Sequence, residues 1–356
     1  MIESISARNF LCFDDTGQQA DLAPLTVLVG PNNSGKSTII SGFNLLRESI
    51  LRGGNVRWMT ESYNLGDFAA AVNDHDLERR IELATTVRND ERPLRISATI
   101  EPGDRATWSY VPSAPAGPNV LKSAWYFKAT RNEIPRWRST NEENILPIWG
   151  QPLAPDGSNI VTYLLERWTD QDEQWPVAQE WLKKIDPELS ILKSPLRSNL
   201  ASLETTNKFS KVSVNLAYQG TGIQKALAIV SGVIFSPSGS TIIVEEPEVH
   251  LNRGSIEALV DLFNYAVNNL KKQIILSTHS LDLLLQYASD VGMGSPRGAT
   301  HVAINPAKFK LLGFERVKGT AMIKEYTMKE RFSTVMQRVR ELLKPEGPVQ
   351  LPAQTA

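Results

Sequence analysis

The sequence predicts an α/β protein of two lobes parted by an irregular insertion. Three observations predict it. A short β-branched run, Leu25-Thr26-Val27-Leu28-Val29, passes through a Gly-rich turn into residues 37–51, whose apolar positions have helical spacing. From residue 212 onward, runs suited to buried strands alternate with helical ones. Between these lobes, residues 101–160 carry eight prolines, and seven of the eight tryptophans lie from Trp108 to Trp181. Dense proline breaks helices and central strands alike.

Composition sets the outer bounds. The chain has 356 residues, 41% hydrophobic, with 38 Lys+Arg against 39 Asp+Glu and a net charge of -1. That content supplies a sizeable core, and the balanced charge argues against a surface coated in positive charge for bulk nucleic-acid binding. No stretch approaches the roughly 18–20 apolar residues that span a bilayer, and the first ten residues hold no apolar signal core. The single cysteine, Cys12, allows no internal disulfide and no cysteine metal site. A soluble, cytoplasmic protein without a membrane partner is the expectation.

Taken in order, Ile2 and Ile5 mark a first strand before Asn9-Phe10-Leu11. After the strand at 25–29 and the helix at 37–51, residues 80–87 and 94–100 alternate apolar and charged positions, as antiparallel strands with one wet face do. The first lobe is set at residues 1–100 and the insertion at 101–211. Within the insertion, 159–184 reads as helical, with an acidic patch at Asp170, Asp172 and Glu173. Its tryptophans have two readings, aromatic packing in a segment short of regular elements, which is favoured, and a base-stacking surface. The second lobe, 212–344, holds helices at 225–235, 254–270 and 281–287 and strands at 241–244 and 273–276. Short strands near 301–304 and 309–312 and an amphipathic helix at 327–343 follow. Residues 345–356 are expected to be a disordered tail. The sequence shows no internal repeat and no coiled-coil stretch.

Three motifs carry chemistry. Gly30-Pro31-Asn32-Asn33-Ser34-Gly35-Lys36-Ser37-Thr38 fits the full phosphate-loop pattern between a buried strand and a helix. Gly30 and Gly35 let backbone N–H groups turn toward a phosphate, and the helix start adds its positive dipole end. Lys36 supplies a point charge for β- and γ-phosphates, and Ser37 a hydroxyl for Mg²⁺. The motif predicts nucleoside triphosphate binding. Second, Thr241-Ile242-Ile243-Val244 runs into Glu245-Glu246-Pro247-Glu248. Glu245 sits where a metal-orienting acid belongs, and Glu246 where a carboxylate would polarise the attacking water. Third, the apolar run 273–276 ends in Ser277-Thr278-His279-Ser280, with His279 placed to sense the γ-phosphate. His75, His250 and His301 show no ligand spacing, and no metal site of protein ligands alone is expected.

The order of these motifs, with Gly220-Thr221-Gly222 before the acids, resembles the ABC-type ATPases of the SMC, RecF and Rad50 class. The pattern is closest to the ATPase domain of overcoming-lysogenization-defect (OLD) proteins and their stand-alone relatives. Ala7-Arg8-Asn9-Phe10, Leu65-Gly66-Asp67-Phe68 and Glu246-Pro247-Glu248-Val249-His250-Leu251 add to it, so the likeness runs from residue 1 to about 290. It implies a phosphate-loop ATPase head with an antiparallel β lobe, dimerising around two ATP molecules with Mg²⁺. By the same analogy, Gly220, Thr221 and Gly222 form a signature-like loop that reaches the partner's γ-phosphate, and Leu251-Asn252 faces the dimer. Asn9 and Phe10 border the nucleotide. Asp67 is a poor substitute for a switch-loop glutamine that has no counterpart here.

The chain departs from that pattern in four places. The signature lacks Leu-Ser-Gly-Gly-Gln, and Asn252 stands where an aspartate is usual. About 75 residues after Ser280, without an Asp-x-Asp, are too few for the Toprim nuclease of OLD proteins. No coiled-coil arm is present.

The expected function is ATP hydrolysis, catalysed by Lys36, Glu246 and His279, whose cycle gates a homodimer. The resemblance implies that its output goes to a separate effector protein, a nuclease or toxin, or to DNA, in anti-phage defence. The alternative is a non-catalytic, ATP-bound scaffold that assembles a partner complex. A compact AAA+ motor fits poorly, because about 200 residues separate Lys36 from Glu245. A GTPase fits poorly as well, because Asn207-Lys208-Phe209-Ser210 lacks the final aspartate of a guanine-reading motif. From 316 to 344, basic residues outnumber acids, a pattern that suits a solvated helix face better than a DNA contact.

Overall fold

Every residue of β3 (Leu25–Val29) is buried, and so is every residue of β13 (Thr241–Glu245) and β14 (Gln273–Thr278). Strands buried on both faces belong to the middle of a parallel sheet covered on two sides. A computed structural model shows that arrangement. It describes residues 1–51, 53–60, 62–88, 92–111, 121–129, 138–139, 152–169, 172–192, 200–207, 212–290, 302–326 and 332–344. The expected tail, Trp137, Trp149, Asp170, His301 and residues 208–210 and 327–331 lie outside the described residues.

The first lobe contributes β1 (Ile2–Arg8), β2 (Gln18–Asp21), β4 (Ile81–Arg88), β5 (Pro93–Glu101) and β6 (Arg105–Val111) to an antiparallel sheet of order β2-β1-β4-β5-β6. Its helix α1 (Lys36–Leu51) follows β3 directly, and the short α2 (Phe68–Ala71) comes later. The second sheet has the order β16-β15-β3-β14-β13-β7, with β7 (Ala124–Phe127), β15 (Phe309–Val317) and β16 (Thr320–Tyr326). All its pairings are parallel except the β15–β16 hairpin. The short strands β8 (Arg138–Ser139) and β10 (Leu200–Ala201) pair with each other, and β9 (Leu189–Leu192), β11 (Glu204–Asn207) and β12 (Ser213–Asn215) form a small sheet.

The pleat of this second sheet divides the molecule's core in two. Leu25, Val27, Val29, Ile242, Val244, Ile274 and Leu276 face one cluster, which the helices of the insertion and second lobe cover. Leu28, Ile243 and Ile275 face the other, with Ile39, Phe43 and Leu46 of α1 and the antiparallel sheet. The helical cover comprises α3 (Ile160–Thr169), α4 (Trp175–Ile185), α5 (Thr221–Phe235), α6 (Arg253–Asn268), α7 (Leu281–Asp290) and α8 (Phe332–Leu342).

The stretch read as irregular supplies β6, an edge strand of the antiparallel sheet, and β7, an edge strand of the central sheet, both concealed by the surrounding prolines. Three of its tryptophans pack on aromatic partners. Trp125 is buried edge-on to Tyr163, Trp175 stacks on Phe235, and Trp181 is buried against Tyr265. The expected helix at 159–184 is two helices, broken between Thr169 and Trp175.

Three expectations in the second lobe are corrected. Residues 302–305 form no strand, because Asn305 caps a short 3-10 turn through Ala307 N. β15 runs on to Val317 because β16 pairs with its far half. Helix α5 starts at Thr221, four residues earlier than its apolar pattern, with Gly220 as its N-cap. No helix among the described residues is long and apolar enough to cross a membrane.

Candidate active site

Sheet register brings the three motifs to one edge. Thr278 at the end of β14 pairs with Val29 at the end of β3, and Ser277 pairs with both Leu28 and Glu245. The phosphate loop, the acidic loop and the His279 loop therefore leave adjacent parallel strands at their carboxyl ends, where open α/β sheets bind ligands.

The phosphate loop is held by close packing. A Cβ on Gly30 would lie 2.3 Å from the Phe314 carbonyl and 2.7 Å from Ser34 Oγ, so only glycine fits. Gly35 has φ +105 and Asn33 φ 62, both left-handed, and asparagine tolerates that region better than most residues. Lys36 is buried, and its Nζ donates to the carbonyls of Gly30 at 2.7 Å and Pro31 at 2.8 Å. Burial pushes the Lys36 ammonium below its ordinary range, and the carboxylates of Glu246, Glu245 and Glu248 draw it back up. The charge of these three acids favours the protonated lysine.

The loop fits a phosphate. Ser34 Oγ is buried with no hydrogen-bond partner among the described residues, an orphan polar atom inside the cradle. Asn32, Asn33 and Ser37 are exposed at the start of α1, Pro31 is half-buried, and Thr38 approaches Cys12 Sγ at 3.5 Å. The exposed Ser37 hydroxyl and the Glu245 carboxylate supply hard oxygen donors of the kind Mg²⁺ takes alongside phosphate and water. Among the described residues, no group of three or more His, Cys, Asp or Glu side chains is placed to hold a metal ion.

Glu245 is buried at the end of β13, and its Oε2 accepts from the Tyr126 hydroxyl at 2.9 Å. Glu246 turns into left-handed backbone, φ 45, while its N–H donates to the Ser277 carbonyl at 2.8 Å. Its Oε1 lies 3.3 Å from His279 Nδ1. A carboxylate and an imidazole so paired can order and polarise a water. Glu248 is buried too, and its Oε1 accepts from Thr278 Oγ1 at 2.5 Å. Burial pushes its carboxyl up, and the Thr278 hydrogen bond opposes that.

Gly220, Thr221 and Gly222 form the first turn of α5. A Cβ on Gly222 would lie 2.2 Å from the His250 carbonyl, so this turn packs tightly on the loop after the acids. With Leu251, Asn252 and Ile185 it lines a 230 Å³ cleft. Asn252 caps α6 by accepting from Ser255 N at 2.9 Å, which commits its side-chain oxygen within the chain.

Phe10 is wholly buried in the core beside α1, and Asn9 donates from Nδ2 to the Arg80 carbonyl. Cys12 and Phe13 lie against the phosphate loop, 3.2 and 3.4 Å from where a Gly35 Cβ would lie. Asp67 caps α2 through Ala70 N at 2.8 Å. The basic stretch is laced with acids. Lys324 pairs with Glu315, and Lys310 with Glu325 at 3.1 Å, across the β15–β16 hairpin. Sequence reasoning missed Tyr126 and Thr278 as partners of the acids, because sequence distance hides which side chains share a sheet face.

Comparison with known proteins agrees with this geometry. A family model described as "AAA domain, putative AbiEii toxin, Type IV TA system" matches residues 25–285, from β3 into α7. A search of curated proteins returned no match. Among solved structures, the SMC head bound to the C-winged helix domain of ScpA superposes at a TM-score of 0.57 with 13% identity, covering 94% of this chain and 99% of that one. An SMC head from Pyrococcus furiosus bound to the C-terminal domain of ScpA gives 0.57 at 11%, covering 95% and 99%. The head from Pyrococcus yayanosii gives 0.54 at 9%, with the same coverage. At such identities the likeness shows the fold, that of a phosphate-loop NTPase of the ABC head type. The chain belongs to the AAA-domain family described by the AbiEii model, and its nucleotide-binding core has the architecture of SMC heads.

Proposed function

We propose that this protein binds ATP on the loop from Gly30 to Thr38 and hydrolyses it. The observation that carries the reading is the Glu246–His279 pair, set at 3.3 Å at the sheet edge from which the loop of the buried Lys36 also leaves. Lys36, now held by two carbonyls of its own loop, would exchange them for β- and γ-phosphate oxygens. Ser34 Oγ would gain its missing partner. Glu246 would accept a proton from the attacking water as the water oxygen bonds to the γ-phosphorus and ADP leaves. With His279 Nδ1 directed at Glu246, Nε2 is the nitrogen left to face the γ-phosphate. Mg²⁺ bound at Ser37 and Glu245 would neutralise charge on the phosphates.

Two copies are proposed to close around the nucleotide, with the Gly220–Thr221–Gly222 turn of one facing the phosphate held by the other. Gly220 is exposed with open space about it, and the start of α5 adds favourable dipole for an anion. A ligand touched by both subunits shifts the dimer equilibrium by its differential affinity. The output would pass to a partner protein or to DNA. SMC heads crystallised with ScpA domains, and a family description that names a toxin system, support an effector partner. A role in anti-phage defence is proposed from the resemblance of the motif order to OLD-like ATPases alone. Molar mass in solution tests the gating, using Glu246→Gln with and without Mg-ATP. A monomer that doubles its mass only with nucleotide supports it, and a mass unchanged by nucleotide counts against it.

A further inference from the structure

Beyond Glu246 and His279, the acidic loop and the His279 loop are tied together by a buried link that neither motif requires. The Thr278 hydroxyl donates to Glu248 Oε1 at 2.5 Å, and the Ser280 N–H donates to the same hydroxyl oxygen at 2.8 Å. His279 is the residue enclosed by that turn. One step away, the Glu246 N–H donates to the Ser277 carbonyl, so two bonds hold the strand ends in register on either side of the Glu246–His279 pair. Glu248 is only 8% exposed, and its Oε2 has no hydrogen-bond partner among the described residues.

A carboxyl group kept out of water with one oxygen unpaired is costly to fold around. Replacing it with an apolar residue would relieve that cost, so its presence calls for a function. A free-standing turn from 277 to 280 would leave the imidazole to swing on its own backbone. The hydroxyl of Thr278 cannot stop that motion unless something fixes the hydroxyl in turn. Glu248 does so from the second position after Glu246, on the same short loop, and Leu251 N anchors that loop by donating to the Glu248 carbonyl at 3.0 Å.

We infer that Glu248 is a positioning residue for hydrolysis, fixing His279 against Glu246 through the Thr278 hydroxyl. This rests on the proposed ATPase reading of the site. Small displacements of a catalytic group cost rate steeply, so loss of the link should lower kcat about ten- to a hundredfold.

The test measures kcat and KM for Mg-ATP in the full chain, with thermal unfolding and the histidine NMR signals of each variant. Thr278→Val and Glu248→Ala should each lower kcat by that factor while KM stays within about twofold, and the double variant should be no slower than the worse single one. Thr278→Ser, which restores the hydroxyl, and Glu248→Gln, which keeps an acceptor oxygen, should return kcat to within about threefold of wild type. The His279 signal, assigned by its loss in His279→Ala, should move in Thr278→Val and return in Thr278→Ser.

Wild-type kcat in Thr278→Val overturns the inference. So does a loss of kcat that tracks unfolding and is not rescued by serine. If the wild-type chain shows no turnover, the ATPase reading fails by itself, and the NMR arm decides the link. A His279 signal that moves with Thr278→Val upholds it, and one that stays overturns it.

Discussion

The hydroxyl of Tyr126 donates to Glu245 Oε2 at 2.9 Å, joining an edge strand of the insertion to the acid that ends β13. The two residues are 119 positions apart and lie on the same sheet face, the one shared by Ile243 and Ile275. A phenol aimed at a carboxylate fixes the direction in which its other oxygen points, and that oxygen is the one a hydrated cation would use. Tyr126→Phe keeps the ring and removes the donor. A hydrogen bond to a charged group contributes about 1.5–3 kcal/mol, so turnover should fall about ten- to a hundredfold and half-saturation should need more Mg²⁺. A magnesium titration of the ATPase rate checks this.

Ser34 offers a cleaner separation of binding from stability. Its buried hydroxyl has no partner among the described residues, so removing it costs the ligand-free fold nothing in hydrogen bonding. Ser34→Ala should leave the melting temperature unchanged or slightly raised and weaken ATP binding about three- to tenfold, the value of a typical hydrogen bond. Calorimetric titration with ATP alongside thermal unfolding reads both.

Gly222 tests the turn proposed to face the partner. An added methyl meets the His250 carbonyl at 2.2 Å, and both loops must move. Overpacking of this kind costs about 1–3 kcal/mol. Gly222→Ala should lower the melting temperature by a few degrees and abolish the ATP-dependent mass increase. It should leave ATP binding to single chains intact, because Lys36 and its loop are built separately.

Lys272 gives a pH signature of the fold itself. Its Nζ donates to the carbonyls of Val233 and Ile234 near the end of α5, and burial pushes its ammonium down to about 8. Below pH 8 folded and unfolded chains both hold the proton. Between about 8 and the ordinary lysine value of 10.5, the unfolded chain binds more protons than the folded one, so this group makes stability rise with pH. Urea unfolding at pH 7, 8.5 and 10 should show wild type gaining on Lys272→Met across that window. A constant difference between the two would contradict it.

The parts of the fold legible in the sequence were those written contiguously. Leu25–Val29, Thr241–Glu245 and Gln273–Thr278 are apolar runs that end in polar motifs, and the structure sets those ends abreast. What was hidden depended on long-range pairing. Ala124–Phe127 is four residues near a proline-rich stretch, and only its pairing with β13 makes it a strand of this sheet. Phe10 adjoins a motif-like stretch, yet its ring turns into the core. Asn252 reads as a residue facing a partner, and its side-chain oxygen caps a helix. In the basic run from 316 to 344, Lys324 pairs with Glu315 across the hairpin, a contact that only the strand pairing reveals.

The central claim is that Glu246, braced by His279, removes the proton from the water that attacks ATP. The most direct measurement is the Mg²⁺-dependent ATPase rate per subunit against protein concentration, for wild type and Glu246→Gln, with ATP binding followed in parallel. The account predicts a wild-type rate that rises with concentration as composite sites form. It predicts a fall of a hundredfold or more in the variant, with ATP still bound. A Glu246→Gln variant that hydrolyses ATP at the wild-type rate, or a wild-type chain that binds ATP and never turns it over at any concentration, would contradict it.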